Sequence, residues 1–239
     1  MARKAARSKA RSSAPRNISA SGKPARERAI DAFMGLLAEK PFEQITLSDV
    51  ASTAGLSLAE LRAEFGTTFA ILSAHSKRID RAVLAGGDAD MEEETARERL
   101  FDVLMRRLEL LAPHKEAVRS LLRSTRTNPV LALACNGLAV RSQQWMLAAA
   151  GIGSSGPKGA MRAQGLALSF VNVLRTWVND EDEGLARTLA ALDRELARGQ
   201  RLSGLLDELC RIPERACELV RRTRRPRRGR GHSDEAVAA

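Results

Sequence analysis

The sequence predicts an all-α protein, on two grounds of composition and one of pattern. Its 239 residues are 44% apolar but only 3% aromatic, with no tyrosine. Aromatic and β-branched residues are scarce, while Ala, Leu, Arg and Glu are abundant, which disfavours a large β-sandwich or parallel sheet. Apolar residues recur instead at the spacing of a helix face from Pro24 to about residue 210. We therefore expect nine or ten helices and no strand.

The first helix carries an apolar face made of Ile30, Phe33, Met34 and Leu37. It should end near Lys40, because a residue before proline avoids the α conformation.

Two capping boxes follow, at Thr46–Asp49 and Ser57–Glu60. Each should open a short helix, and Gly55 between them suits the left-handed residue that closes a helix. Two short helices joined by a glycine-containing turn predict a helix-turn-helix.

The remaining helices follow from their apolar stripes and the residues that interrupt them. We expect a helix from Gly66-Thr67 to Gly86-Gly87 and a second one that stops at Pro113. A shorter helix and a long one after Asn128-Pro129 come next. After a loop at 151–159 and an acidic break at 180–183, two more helices follow. Each of these six helices has its own apolar stripe. In chain order, the six stripes are Phe69, Leu72, Ile79 and Val83; Leu100, Leu104, Leu108 and Leu111; Val118, Leu121 and Leu122; Leu131, Leu138 and Trp145; Phe170, Val171, Leu174, Trp177 and Val178; and Leu185, Leu189, Leu192 and Leu196.

The net charge of +10 is concentrated in two segments. Residues 1–28 contain nine Lys and Arg against one acid, and residues 211–239 contain nine Arg against four acids. The intervening residues have a small acidic excess. Segments of this kind lack the apolar residues for a core and favour a polyanionic partner, nucleic acid before an anionic membrane. A purely solubilising role is the alternative.

Location and redox state follow from what the sequence lacks. No apolar run reaches the length of a membrane span, and the basic N-terminal segment has no apolar core of a secretory signal, although it also resembles an organellar transit peptide. The three cysteines, Cys135, Cys210 and Cys217, have no metal-ligand spacing. We expect a cytoplasmic protein with reduced thiols.

No catalytic constellation is evident, so we expect no enzyme activity, metal or cofactor. Gly151–Gly156 matches GxGxxG, but an Ala-rich helix precedes it instead of the strand that a nucleotide-binding loop requires. His75, His114 and His232 are far apart in sequence. We expect the first two to be polar residues on helix faces, and Cys135 to be a small core residue.

Residues 28–72 resemble the N-terminal domain of TetR (tetracycline-repressor) family transcriptional regulators. The similarity is carried by RAIDAFMGLLAEKPFEQITLSDVASTAGLSLAELRAEF, with T-L-x-D-V-A-x-x-A-G-L-S at Thr46–Ser57 and an aromatic residue at Phe65. RTWVND at 175–180 and TLAALDREL at 188–196 are similar to the last two helices of many members. The resemblance implies an N-terminal three-helix DNA-binding domain and a C-terminal helical domain that binds an effector and dimerises.

On this resemblance the chain divides into a basic arm (1–23), a helix-turn-helix domain (24–70), an effector-binding and dimerisation domain (71–212) and a basic tail (213–239). The implied function is a dimeric DNA-binding regulator, a repressor released by a small hydrophobic ligand. The implied DNA-contacting residues are Thr46, Ser48, Ser57, Leu58, Ala59, Glu60, Arg62, Glu64 and Thr68. The implied effector-binding residues are Leu104, Leu108, Trp145, Phe170 and Trp177, although a core position is the simpler interpretation for the three aromatic residues. The implied dimerisation residues are Val171, Leu174, Val178, Leu185, Leu189, Leu192 and Leu196.

The recognition helix departs from the family pattern. Where members carry a Thr, a Tyr and then a His or Tyr, this chain has Glu60, Arg62 and Glu64, and Thr68 replaces a customary Lys. Two acids oppose an approach to phosphates, although Glu accepts from cytosine and Arg reads guanine. Either an unusual operator is read, or DNA binding is weakened or lost.

A second resemblance gives the alternative function. Residues 97–152 are also similar to TetR-fold ubiquinone-biosynthesis proteins, which bind lipid and attach to membranes through a C-terminal amphipathic helix. Leu202, Leu205, Leu206, Leu209 and Ile212, followed by an Arg cluster, fit such a helix. Packing of this stripe on the protein core is the simpler interpretation. The alternative is thus a lipid-binding, membrane-peripheral accessory protein.

Overall fold

A computed structural model describes residues 22–87 and 93–201. The described chain is helical and contains no β-strand, which confirms the all-α prediction. The helices are α1 (Ala25–Glu39), α2 (Leu47–Ala54), α3 (Leu58–Glu64), α4 (Thr68–Ala85), α5 (Ala96–Leu111), α6 (Lys115–Thr127), α7 (Pro129–Ala149), α8 (Gly156–Trp177) and α9, described over residues 186–201. Short 3₁₀ turns occupy Phe42–Gln44 and Ala112–His114.

The chain forms two compact units. The first unit contains the described residues up to Arg78 together with His114–Thr127, that is α1 to α3, the first part of α4, and α6. The second unit contains Ile79–Pro113 and the described residues from Asn128 onward, that is the rest of α4 with α5, α7, α8 and α9. The helix α6, which lies inside the range 71–212 assigned from sequence to the effector domain, packs against α1 in the first unit.

The helices of the first unit begin and end where proline, glycine and the capping residues predict. The helix α1 stops at Glu39, one residue before Lys40, as Pro41 requires. Both capping boxes form, at the starts of α2 and α3, and Gly55 closes α2 with φ of 62°. The first unit is centred on the fully buried side chains Ile30, Phe33, Leu37, Val50, Leu61 and Ile71.

Two hydroxyl groups attach α6 to the connection between α1 and α2. The Ser124 hydroxyl oxygen accepts a hydrogen bond from the Phe42 N–H at 3.1 Å, and the Ser120 hydroxyl donates to the Lys40 carbonyl at 3.2 Å. Ala117 is completely buried on α6, and its small side chain permits a close approach of this helix. The helix-turn-helix therefore rests on a helix from much later in the chain.

In the second unit α7 packs against both α8 and α5. The helix α8 begins at Gly156, three residues before the end of the loop expected from sequence, with Pro157 in its first turn. Proline suits that position because the first N–H groups of a helix have no intrahelical partner. A Cβ atom at Gly159 would overlap the backbone of Ser154, so the loop lies directly on the first turn of α8.

Asp180 organises the connection from α8 to α9. Its carboxylate accepts hydrogen bonds from the Thr188 N–H at 2.9 Å and the Thr188 hydroxyl at 2.7 Å. The Asp182 carboxylate accepts from the Ala186 N–H at 3.1 Å. The Thr188 hydroxyl, with its N–H, lowers the pKa of Asp180 below its ordinary value. The acidic break therefore caps α9, as negative charge at a helix N-terminus should.

Asp49 generates the first prediction. The Lys40 ammonium, 2.7 Å away, and then the Thr46 N–H and hydroxyl lower its pKa from 3.8 to about 2. A lowered carboxyl pKa adds stability that is complete above the ordinary value and is lost as pH falls toward the folded-state value. Asp49→Asn should therefore lower the melting temperature at neutral pH, and the gap to the wild type should close between about pH 5 and pH 2.

Thermal unfolding followed by circular dichroism across this pH range measures the gap. Glu39→Gln is the control, because Glu39 is exposed at the end of α1. A gap that stays constant across the range would show that the ion pair does not contribute to pH-dependent stability.

Candidate functional site

The exposed surface of α3 is the candidate nucleic-acid interface. This seven-residue helix buries Leu61, and the next residue, Phe65, is also buried. Its other side chains face solvent; they are Leu58, Ala59, Glu60, Arg62, Ala63 and Glu64. Leu58 is 56% exposed although it is apolar. Five of the predicted DNA-contacting residues thus lie on one short, outward-facing element.

Glu60 is a capping residue. Its carboxylate accepts hydrogen bonds from the Ser57 N–H and the Ser57 hydroxyl, both at 2.8 Å, and its own N–H donates to the Ser57 oxygen at 3.2 Å. The Ser57 N–H and then its hydroxyl lower the pKa of Glu60. The negative charge is thus held at the positive end of α3. Because Ser57 donates its hydroxyl proton to Glu60, Ser57 has no proton left for a phosphate in this geometry.

Glu64 is paired with a cation from α1. Arg26 Nη1 lies 3.5 Å from the Glu64 carboxylate, and the Arg26 guanidinium lies 4.7 Å from the centroid of the Phe65 ring. Both charges are partly exposed, so the pair contributes little stability. It does offset the charge of Glu64 at the end of α3. Sequence reasoning missed Arg26, because 38 residues separate it from Glu64 and no local spacing connects them.

Arg62 is the cation of α3, and it is exposed. Its guanidinium makes no hydrogen bond or ion pair with any residue that the structure describes. The two acids of the helix are each engaged with a partner, whereas its guanidinium faces solvent. The arrangement therefore leaves α3 with one available cation and two partly neutralised carboxylates.

The starts of α2 and α4 supply polar groups. The Thr46 N–H donates to Asp49 at 3.0 Å, and the Asp49 N–H donates to the Thr46 hydroxyl at 3.1 Å. Ser48 is exposed in the first turn of α2. Thr68 is half-buried at the first position of α4, where the Thr67 hydroxyl accepts from the Ala70 N–H at 3.0 Å. The first N–H groups of a helix lack intrahelical partners and suit a phosphate.

The predicted effector residues divide into two groups. Leu104, Leu108, Phe170 and Trp177 are buried in the second unit. Trp145 is 60% exposed in the single chain, so its expected place in the core is wrong. The buried face of this part of α7 carries Ser142, Gln143 and Met146 instead.

The predicted dimerisation residues also divide. Val178, Leu192 and Leu196 are buried within the single chain, whereas Val171, Leu174, Leu185 and Leu189 are half-buried. Sequence reasoning missed two exposed apolar residues on α8, Met161 and Leu168. Their spacing of seven places them on one side of the helix. Val171, one turn after Leu168, extends this apolar strip.

Two histidines distant in sequence meet in the first unit. His75 is buried, and its ring stacks edge-on against His114 with centroids 4.7 Å apart. His75 Nδ1 lies 3.2 Å from Arg78 Nη2, and Arg78 also pairs with Glu27 and Asp31, each at 2.8 Å. Burial and then the Arg78 charge lower the pKa of His114. Both histidines lie on helical elements, as expected, but the sequence did not predict their contact with each other.

Other reactive groups lie outside this cluster. Burial raises the pKa of the Cys135 thiol to about 11, which makes it a poor nucleophile. Across residues 22–87 and 93–201, no three His, Cys, Asp or Glu side chains are arranged to hold a metal ion. No helix within the same ranges has the length and hydropathy of a membrane span. His232, Cys210, Cys217, the stripe at 202–212 and both basic segments lie outside the described residues, apart from 22–28.

Substitution of Ser57 tests the capping of α3. Ser57→Ala removes the hydroxyl that accepts from the Glu60 N–H and should lower the free energy of unfolding by about 1 kcal/mol. Ser48→Ala is the matched control, because Ser48 lies in the first turn of α2 but is not its cap. Urea unfolding measures both values. Equal losses in the two variants would show that the capping box does not stabilise α3.

Several solved structures share this fold, among them the following three. A TetR transcriptional regulator from Nitrosomonas europaea ATCC 19718 matches with a TM-score of 0.58 and 24% identity, over 74% of this chain and 99% of its own. One from Rhodococcus sp. RHA1 gives 0.54 and 23%, over 73% and 95%. A TetR-family transcriptional regulator from Streptomyces coelicolor gives 0.51 and 13%, over 77% and 83%. No family model and no curated protein matches the chain. The fold implied by the sequence resemblance is thereby confirmed.

Proposed function

We propose that this protein is a dimeric DNA-binding transcriptional regulator, a repressor that a small hydrophobic effector releases from its operator. The observation that carries the proposal is the exposed face of α3, capped at its start and presenting Arg62 beside two engaged acids. The fold shared with solved transcriptional regulators supports it.

DNA recognition is assigned to α3 in the major groove. An arginine reads guanine through its O6 and N7 atoms, which makes Arg62 the residue for direct readout. Leu58 and Ala59 are suited to apolar contact with thymine methyl groups. Glu60 reaches a cytosine N4 only if it leaves Ser57, and Glu64 only if it leaves Arg26. The engagement of both acids lowers the repulsion that they would otherwise impose on phosphates.

Phosphate contacts position the protein without reading sequence. The N–H groups and the exposed Ser48 hydroxyl at the start of α2 are assigned to this role. Thr46 and Thr68 lie at two helix starts and are assigned weaker contacts. The Lys and Arg residues of the segment 1–23 add affinity that falls with salt, because each phosphate contact releases counterions.

Dimerisation places two copies of α3 in successive major grooves, about one helical turn of DNA apart. The strip formed by Met161, Leu168 and Val171 supports α8 as part of the interface, because exposed apolar residues in a row mark an interaction surface. The half-buried residues Leu174, Leu185 and Leu189 are assigned to its margin. The buried residues Val178, Leu192 and Leu196 support the interface from within one chain.

Effector release is a shift in population. A ligand that binds only the dimer conformation with displaced recognition helices lowers the DNA-bound fraction by its differential affinity. The buried apolar residues Leu104, Leu108, Phe170 and Trp177 support a hydrophobic ligand in the second unit.

Arg62→Ala should reduce the preference of the full-length protein for its own upstream DNA over competitor DNA by about 1–3 kcal/mol, the discrimination that one arginine–guanine contact supplies. Non-specific binding and its salt dependence should change little. Arg194→Ala removes the same charge from an exposed position on α9 and should leave the preference intact. Fluorescence anisotropy at two salt concentrations measures both. An unchanged preference for Arg62→Ala would remove this residue from the readout, and no preference in the wild type would overturn DNA regulation.

Disruption of the proposed interface should convert the dimer into a monomer. Leu168 is 56% exposed, so Leu168→Glu leaves the fold of one chain intact but buries an unpaired charge in a dimer. We expect multi-angle light scattering to give a monomer mass for this variant and a dimer mass for the wild type. Leu133→Glu on α7 is the control, since Leu133 is equally apolar and 74% exposed. A dimer that persists in Leu168→Glu would exclude this face.

A further inference from the structure

A buried polar cluster lies in the second unit. Asp80 from α4, Arg107 from α5 and Ser142 from α7 are all buried. Asp80 Oδ1 accepts hydrogen bonds from Arg107 Nη1 and from the Ser142 hydroxyl, the latter at 2.7 Å. Gln143, the next residue on α7, is 1% exposed. The cluster therefore joins three helices around one ion pair.

Two atoms of the cluster have no partner within the described residues. Arg107 Nε carries a hydrogen that donates to no group there, and Gln143 Oε1 accepts from none. Both atoms are shielded from solvent. Most buried polar atoms of a folded protein are paired, so an unpaired donor and an unpaired acceptor in the same unit call for an explanation.

Arg107 lies beside the apolar residues assigned to the effector, and Gln143 is on the helix that contacts it. Gln143 and Met146 are one turn apart on α7, and Met146 Sδ lies 4.0 Å from Arg107 Nη1. The Arg107 guanidinium is 5.6 Å from the centroid of the Phe170 ring. On α5, Leu104 and Leu108 flank Arg107 and are completely buried. The buried donor is thus surrounded by apolar side chains, and the buried acceptor is one turn from Met146; apolar side chains with a few polar groups are the usual lining of a small-molecule site.

The net charge of the cluster determines which charge a ligand head can carry. Asp80 already balances Arg107, so the formal charge of the pair is zero. A carboxylate or an ammonium would add an unbalanced charge to a buried region, which is strongly unfavourable. A neutral group that both donates and accepts satisfies the two atoms and adds no charge.

We infer that this cluster binds the neutral polar head of an effector, a carboxamide or a hydroxyl, whose apolar body packs among Leu104, Leu108 and Phe170. The head oxygen accepts from Arg107 Nε–H, and its N–H or O–H donates to Gln143 Oε1. The inference rests on the proposed function, because it assigns the chemistry of the ligand that releases DNA.

The experiment compares ligands that share a body and differ in their heads. Octanamide, 1-octanol, octanoate and octylamine are titrated into the full-length protein, with binding followed by calorimetry and by the melting temperature. We expect octanamide and 1-octanol to bind at least tenfold more tightly than either charged compound. Equal affinities for all four heads, or tighter binding of octanoate or octylamine, would overturn the inference.

A substitution at Gln143 separates ligand recognition from a structural role. Gln143→Met removes the acceptor while keeping the length of the side chain, and should weaken octanamide binding about tenfold without lowering the melting temperature of the ligand-free protein. Gln164→Met is the matched control. The Gln164 amide exchanges two hydrogen bonds of 3.0 Å with Asn136, so its loss should lower the melting temperature and leave octanamide affinity unchanged. A Gln143→Met protein that melts lower but binds octanamide normally would assign Gln143 to an ordered water and overturn the inference.

DNA binding by the same preparations distinguishes this inference from the proposed function. Preference for the upstream DNA without any binding of octanamide or 1-octanol would overturn the inference and leave the regulator intact. Binding of the neutral heads in a protein without DNA preference would support the site and overturn DNA regulation. Release of DNA by octanamide in the wild type, and its loss in Gln143→Met, would support both.

Discussion

The candidate interface depends on how two very short helices are held at their ends. Isolated helices of seven or eight residues are unstable in water, because nucleation outweighs the few hydrogen bonds gained. In α3, the buried anchors are Leu61 and the following Phe65, so the start of the helix depends on the exchange of hydrogen bonds between Ser57 and Glu60. Under the proposed function, the carboxylate that fixes α3 therefore stands on the side that DNA approaches. The Glu60 carboxylate stabilises the start of α3 but lowers the affinity for DNA phosphates. This loss is reduced because the helix N-terminus partly neutralises the charge of the carboxylate.

The same compensation recurs at the other end of α3. Glu64 is adjacent to Phe65, and the Arg26 guanidinium contacts both, so one cation from α1 pairs with the acid and covers the aromatic ring. The acids that depart from the family pattern thus belong to the packing of the first unit. Arg62, without a partner among the described residues, is what remains for recognition. If α3 reads DNA as proposed, this distribution favours an altered operator over a recognition helix that has lost its role.

Local signals in the sequence predicted most of the fold, because the ends of α1, α2 and α3 are set by proline, glycine and capping residues within a few positions. Long-range polar contacts were beyond such signals. The seven-residue spacing of Leu131, Leu138 and Trp145 predicts one buried stripe on α7, but a straight helix drifts about 20° in each such step. Trp145 is exposed, because Ser142 and Gln143 occupy the buried face of this part of α7, where Ser142 binds Asp80. A reading based on hydrophobicity places such polar residues outside.

The hydrophobic pattern does not predict the buried polar cluster of the second unit, and stability does not explain it either. A buried ion pair is often no more stable than apolar residues of the same volume, because desolvation cancels the attraction. Stability alone therefore does not account for Asp80 and Arg107 in a unit whose other buried residues are mostly apolar. Stability does not account for Gln143 either, because burial of its unpaired amide oxygen costs more free energy than burial of a methyl group in the same place. At the proposed effector site, a ligand that pairs this donor and acceptor gains their pairing energy. That gain shifts a population only when the other conformation does not offer the same two contacts.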